Sequence, residues 1–352
     1  MNDSSRRILL IIYIDWLSDF SINYIVHYKN IYILFFLSVI STLSLYSFDL
    51  YESKKNNINL NLIIGSSFKY EADSFPGRAG FELTEAEIKT SGTYLEKLKY
   101  SLSFDLSELI GDDPALKNAY IQYNFADPFR IRAGQSKIPF GQEYSLGVSD
   151  RVYITHSEGS KLIVPDRSVG TIISGKNIFN SFGYKLGIHN SSTYEEEENV
   201  SGHIVFSGNL FYNNKGIKTG YELLYSSDET FSHGAYLQLN LPLKKDINLF
   251  FIGEYLEQRY FNYHWNHSLY TAVSLRVNAW EPLIYFDYFN DNVGYDGVED
   301  KLIPGLGFNV YFLNDKLRLL CDLRTEYLFS QPEDYTHKIH NHSLTVKLIL
   351  EI

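Results

Sequence analysis

From Ile58 to Ile352 apolar and polar residues alternate in runs of about 9–13 positions, the two-residue period of strands with one apolar face. The last run is the plainest: Leu344, Val346, Leu348, Leu350 and Ile352 share one face, and Thr345, Lys347 and Glu351 the other. Leu98, Tyr100, Leu102, Phe104 and Leu106 alternate in the same way with Lys97, Lys99, Ser101, Ser103 and Asp105. The pattern predicts sixteen strands, at 58–70, 81–91, 95–107, 117–125, 129–137, 167–176, 182–191, 202–213, 216–226, 232–241, 247–257, 266–278, 281–290, 304–313, 316–328 and 342–352.

The connections alternate between short and long. Short ones fall at 92–94, 126–128, 177–181, 214–215, 242–246, 279–280 and 314–315. Longer ones fall at 71–80, 108–116, 138–166, 192–201, 227–231, 258–265, 291–303 and 329–341. Short periplasmic turns and long external loops are the habit of an up-and-down barrel in an outer membrane. Closing so many hairpins with apolar residues outward requires lipid as the solvent. The expected fold is therefore all-β: a transmembrane antiparallel up-and-down β-barrel of about sixteen strands, at residues 58–352. Trp280 at a short turn and Trp265 near a long loop fit aromatic girdles at opposite rims, with ordinary core packing as the alternative.

Composition agrees. Of 352 residues, 29 are Tyr and 24 Phe, while charged residues make up 21%, so many aromatics coexist with a polar average. After residue 47 no apolar run approaches the ~18 residues of a membrane helix. The net charge of −11 argues against a nucleic-acid partner. Cys321 is the only cysteine, so no internal disulfide is available and none stands near the start to carry a lipid. Ahead of the strands, Ile31 to Leu45 follows His27-Tyr28-Lys29-Asn30 and reads as the apolar core of a secretory signal, with a membrane anchor as the alternative. Residues 1–47 are read as an N-terminal extension plus this signal, and 48–57 as a periplasmic lead-in.

The chain has no G-x-S-x-G, H-E-x-x-H or P-loop, so no enzyme activity is expected, and no cofactor or metal either. His337, His340 and His342 read better as a polar loop entering the last strand than as metal ligands, and Glu195 to Glu198 as a solvated loop tip. The informative stretch is 138–166, a connection too long for a structureless loop in a compact body. Arg130 and Arg132 share a face opposite Phe129, Ile131 and Ala133, and toward lipid an Arg costs ~2–4 kcal/mol at mid-bilayer, so they are expected to face the lumen. Lys137, Arg151, Lys161 and Arg167 lie in or beside the loop, against Glu143, Asp150, Glu158 and Asp166. Basic rings select anions at a constriction; alternatively these charges brace the loop by ion pairs with the wall. Arg276, Arg318, Arg324, Asp322 and Glu326 have lumen parity and are read as general lumen polarity.

The run Leu116–Tyr123, the run Arg130-Ile131-Arg132-Ala133-Gly134-Gln135-Ser136-Lys137-Ile138-Pro139-Phe140-Gly141-Gln142-Glu143 and the later Pro165-Asp166-Arg167-Ser168-Val169-Gly170 resemble the phosphate-selective porin O and P family. The resemblance is specific over about 80–175. It implies a sixteen-stranded outer-membrane channel with an inward-folded third loop, a homotrimer, and Lys137, Arg151 and Arg167 as pore or loop residues. One departure matters. Where the family carries a basic run on the second strand, this chain reads Thr84-Glu85-Ala86-Glu87, with Glu85, Glu87 and Lys89 on one parity. The expected pore residues are thus Arg130, Arg132, Lys137, Arg151, Lys161, Arg167, Glu85 and Glu87. The expected function is passive diffusion of small hydrophilic solutes or ions, phosphate among them, through a porin surrounded by outer-membrane lipid and lipopolysaccharide. The alternative is a plugged barrel acting as an adhesin or structural protein.

Overall fold

The computed structural model describes residues 48–52, 56–72, 78–107, 115–190, 204–227, 229–260, 264–291, 300–328 and 340–352. The expected signal segment, Glu195 to Glu198 and His337 lie outside them. A short strand, β1 (Phe48–Glu52), pairs with the start of β2 (Asn57–Glu71). The strands that follow are β3 (Arg78–Tyr94), β4 (Leu98–Asp105), β5 (Leu116–Ala126), β6 (Phe129–Lys137), β7 (Arg167–Ile178), β8 (Phe182–Asn190) and β9 (Ile204–Asn214). The rest are β10 (Ile217–Ser226), β11 (Thr230–Lys244), β12 (Ile247–Tyr260), β13 (His264–Val277), β14 (Trp280–Asp291), β15 (Lys301–Phe312), β16 (Leu317–Leu328) and β17 (His340–Glu351).

From β2 to β17 each strand pairs antiparallel with the next, and β17 pairs back onto β2, with Leu350 opposite Ile64 and Val346 opposite Phe68. The result is a closed barrel of sixteen strands, each matching one of the predicted runs. Closure leaves the sixteen-stranded wall without a free edge, which a sheet crossing hydrocarbon needs because lipid satisfies no backbone group.

Several of the hairpin turns at the short-loop end take left-handed backbone. Lys215 and Gly216 both have positive φ, at 48° and 81°, the signature of a two-residue turn whose twist suits the strands it joins. The first short turn differs from expectation. It falls not at Gly92–Tyr94 but at 95–97, where Leu95 and Glu96 take φ of 50° and 59°. Gly92 instead sits inside β3. A Cβ there would lie 2.4 Å from the Asn57 carbonyl oxygen and 2.7 Å from the Tyr100 ring, so the glycine makes room for packing rather than for a turn.

The strand period separates two faces. Ile121, Tyr123 and Phe125 on β5, and Ile284 and Phe286 on β14, are exposed on the outside. Ser101, Ser103 and Asp105 on β4, and Glu222 on β10, alternate with such residues and are buried inside. Charge buried within the barrel and apolar surface outside is the inverse of a water-soluble sheet, and it suits a wall with lipid around it.

Candidate functional site

Residues 138–166 leave β6 and return at β7, and between these strands they cross the interior. The turn into the loop depends on Gly141. Its φ of 77° is left-handed, and a Cβ would approach Val164 to 2.6 Å. Two short helices follow, α1 (Gln142–Ser145) and α2 (Glu158–Leu162). The Ser157 hydroxyl caps α2 by accepting from the Ser160 N–H at 3.1 Å.

The far wall holds this loop through its own backbone. Glu222 on β10 accepts from Gly141 N–H at 2.8 Å. Glu254 on β12 accepts from the N–H groups of Gln142 and Glu143, the latter at 2.9 Å. Asp287 on β14 accepts from Glu158 N–H at 2.8 Å. Asn309 on β15 donates to the Val152 carbonyl at 2.7 Å, and Arg318 on β16 to the carbonyls of Val148 at 2.8 Å and Ser149 at 3.1 Å. A loop without regular structure carries backbone groups that burial would leave unsatisfied. Here the wall supplies the missing acceptors and donors.

Apolar packing completes the seat. Ile138, Phe140, Ile163 and Val164 pack on Val205, Leu224, Leu256 and Phe289. Val152 and Tyr153 pack on Phe250, Ile252, Tyr270 and Ile303, and Ile154 on Ile63, Leu320 and Ile349. Several wall positions of inward parity are therefore apolar, because the loop and not water covers them.

The loop's ionisable groups are mostly engaged. Burial pushes the Glu143 carboxyl up, but hydrogen bonds outweigh it and hold the group below its usual range; His156 Nδ1 lies 2.8 Å away and Ser157 Oγ donates at 3.1 Å. Burial, with Arg151 and Lys137 nearby, lowers the His156 pKa against the raising pull of Glu143. Burial also pushes Glu158 up, yet Lys161, Lys301 and Arg324 around it hold it at about 2. Lys301 Nζ lies 3.1 Å from its Oε2, and Arg324 3.2 Å and Lys161 2.8 Å from its Oε1.

On the opposite side, between the loop and β2–β5, a cavity of about 500 Å³ remains. Five of the eight expected pore residues line it: Glu85, Glu87, Lys137, Arg151 and Arg167. Glu85 is buried between Lys347 at 3.1 Å and Arg151 at 3.6 Å. Arg167 pairs with its neighbour Asp166 at 2.8 Å, and Lys137 donates to the Tyr144 carbonyl. Among the described residues no cation pairs with Glu87. Lys161 lines a separate cavity at the long-loop end, also about 500 Å³. Arg130 and Arg132 have the expected parity, opposite Asn124 and Gln122, but neither lines the cavity. Arg130 pairs with Asp127 of the adjoining short turn at 2.7 Å; Arg132 donates to Gln122 at 3.0 Å and lies over the Tyr120 ring.

Sequence reading missed Glu222, Glu254, Asp287 and Asn309 as loop anchors, and took Arg318 and Arg324 for general polarity. The available signal was local. Along β12 the inward positions Phe250, Ile252 and Leu256 are apolar, so Glu254 among them had to meet a partner that was not water.

A closed sixteen-stranded barrel with a long loop braced across its interior defines the class: an outer-membrane β-barrel with the architecture of a porin. Residues 58–222 match the family model described as phosphate-selective porin O and P, the family that the motifs of the sequence resemble. Among solved structures, OmpF of Salmonella typhi in complex with daunomycin shares the fold at a TM-score of 0.62 and 10% identity, covering 86% of this chain and 99% of that one. The outer membrane channel DcaP of Acinetobacter baumannii matches at 0.59 and 10%, covering 86% and 99%. The OmpT outer membrane protein of Vibrio cholerae in a trimer form matches at 0.57 and 10%, covering 85% and 100%. No curated protein matches the chain. Fold and family place the protein in the outer membrane of the Gram-negative type and point to a channel rather than an enzyme.

Proposed function

We propose that small hydrophilic solutes and ions diffuse passively past the 138–166 loop, with weak ion selectivity and no preference for phosphate. The observation that carries this reading is the charge lining of the cavity between the loop and β2–β5: five basic side chains stand among six carboxylates. Most of the basic ones already have partners, Lys117 with Asp105, Arg151 with Glu85 and Arg167 with Asp166. A paired charge projects little field into a passage, so the basic loop does not act as an anion ring. A homotrimer is part of the proposal, supported by the trimer form of the Vibrio cholerae relative in fold. The test is the reversal potential of single channels in a salt gradient. A value near zero is expected; a strong chloride or phosphate potential overturns weak selectivity.

A plugged barrel serving as an adhesin or structural protein is the second reading, favoured by the three apolar clusters that seat the loop on the wall. Folded protein that never produces conductance steps in a planar bilayer decides for it.

A further inference from the structure

The outward face of β11, β12 and β13 breaks its apolar rule close to the long-loop end. Pairing sets His233, Glu257 and His267 directly side by side across the three strands. One pair nearer the end, Phe231, Arg259 and Trp265 form the next row. Leu223 continues the first row on β10 and Asn290 on β14, so the charged part is confined to these three strands. All these positions have the parity opposite to buried Glu254 and Gln258 and do not face the lumen.

The charges are not equivalent. Glu257 is enclosed: His233 Nε2 and His267 Nδ1 each lie 3.5 Å from its oxygens, and the Tyr255 hydroxyl donates to it at 2.6 Å. Arg259 is exposed and lies over the Trp265 ring, 4.9 Å from its centroid. Among the described residues no carboxylate pairs with it. An arginine on the outside of a spanning strand is tolerated best near the interface, and this one stands next to the last residue of β12, Tyr260. The ring holds one face of the guanidinium, which leaves its donor fork free for a phosphate. The two imidazoles stand one row below, and Phe231, Tyr255 and Trp265 interleave the polar groups with apolar surface. Basic groups interleaved with aromatic ones at the rim suit a ligand that is anionic at its head and apolar below.

We propose that this patch binds the phosphorylated headgroup of an outer-leaflet glycolipid, with Arg259 on the phosphate and His233 and His267 supporting it. The site rests on the barrel spanning the outer membrane, not on whether the lumen conducts. The long loops mark the external end, so the headgroup belongs to the outer leaflet.

The test is native mass spectrometry of the full barrel in detergent. It is offered bisphosphorylated lipid A, the same lipid stripped of its phosphates, or inorganic phosphate. Wild-type protein is expected to retain the phosphorylated lipid, and Arg259→Gln to retain about fivefold less. Arg259→Lys should fall between, with conductance and heat-modifiable mobility unchanged in both. Equal retention of stripped and phosphorylated lipid by the wild type overturns the proposal and needs no variant. So does a stable complex with inorganic phosphate alone, or an Arg259→Gln protein that keeps its lipid but loses its oligomer, which would assign the face to a second copy. A barrel that discriminates the two lipids but never conducts upholds the site and sinks the channel reading.

Discussion

The two sides of the barrel interior differ in what their inward residues meet. On β10 to β16 they meet the loop. Glu222, Glu254 and Asp287 accept from its N–H groups, Asn309 and Arg318 donate to its carbonyls, and Phe250, Ile252 and Ile303 pack on its apolar side chains. On β3 to β5 they border the cavity, and Glu87, Lys89, Asn118 and Lys117 are polar. The same parity thus serves two purposes. A lumen-facing charge is a pore residue only where the loop leaves it uncovered, and on the braced side it belongs to the frame.

Breaking the brace should have the largest effect. Glu254→Ala leaves two loop N–H groups without their acceptor, a loss of about 3 kcal/mol in anchoring. Faster proteolysis within 138–166 and larger, noisier conductance steps are expected; an unchanged loop would mean that the apolar clusters alone hold it. Arg318→Ala removes the donor to Val148 and Ser149 and should cost about 2 kcal/mol, with cleavage confined to the neighbourhood of those residues.

Acid tests the brace at Glu158. Its folded pKa, about 2, lies below the ordinary carboxyl value of roughly 4.3. Its contribution is therefore fully present above the ordinary value and is lost as pH falls through the folded one. Protease resistance of the loop should hold from pH 7 to 5 and decline between about 4 and 2; a decline already at pH 6 would contradict this.

On the cavity side the effects should be electrical. Neutralising Lys137 and Arg167 together is expected to raise the cation-to-anion permeability ratio by about twofold to fivefold, read as a shift in reversal potential. No shift would remove both from the passage. Glu87→Gln should give a smaller shift toward anions and leave protease resistance unaltered, because no described cation depends on it.

How far these sides could be told apart in the sequence follows from range. Strand period is a local property, and all sixteen strands were legible in it. Glycine was read as a turn signal, and at Gly92 that was misleading, because the demand for a bare Cα came from Tyr100 across the hairpin. The loop's existence was legible from its length, and its family motifs matched. Its partners were not, since Glu158 and Asp287 are separated by 129 positions and Asn309 and Val152 by 157. Apolar residues on both faces of β12 and β14 were the nearest local trace of those contacts, as expected for strands covered on both sides.

Closure of β17 onto β2 makes the wall a tube, and a tube in a bilayer is squeezed from the side. An empty tube yields by becoming oval, which narrows any opening along the short axis. The loop bears on β10, β12, β14, β15 and β16 on one side, and through Arg151 on Glu85 of β3 on the other. It therefore works as a cross-member that keeps opposite walls apart. The spacing of those walls is tied to hydrogen-bonded and ion-paired contacts inside the protein.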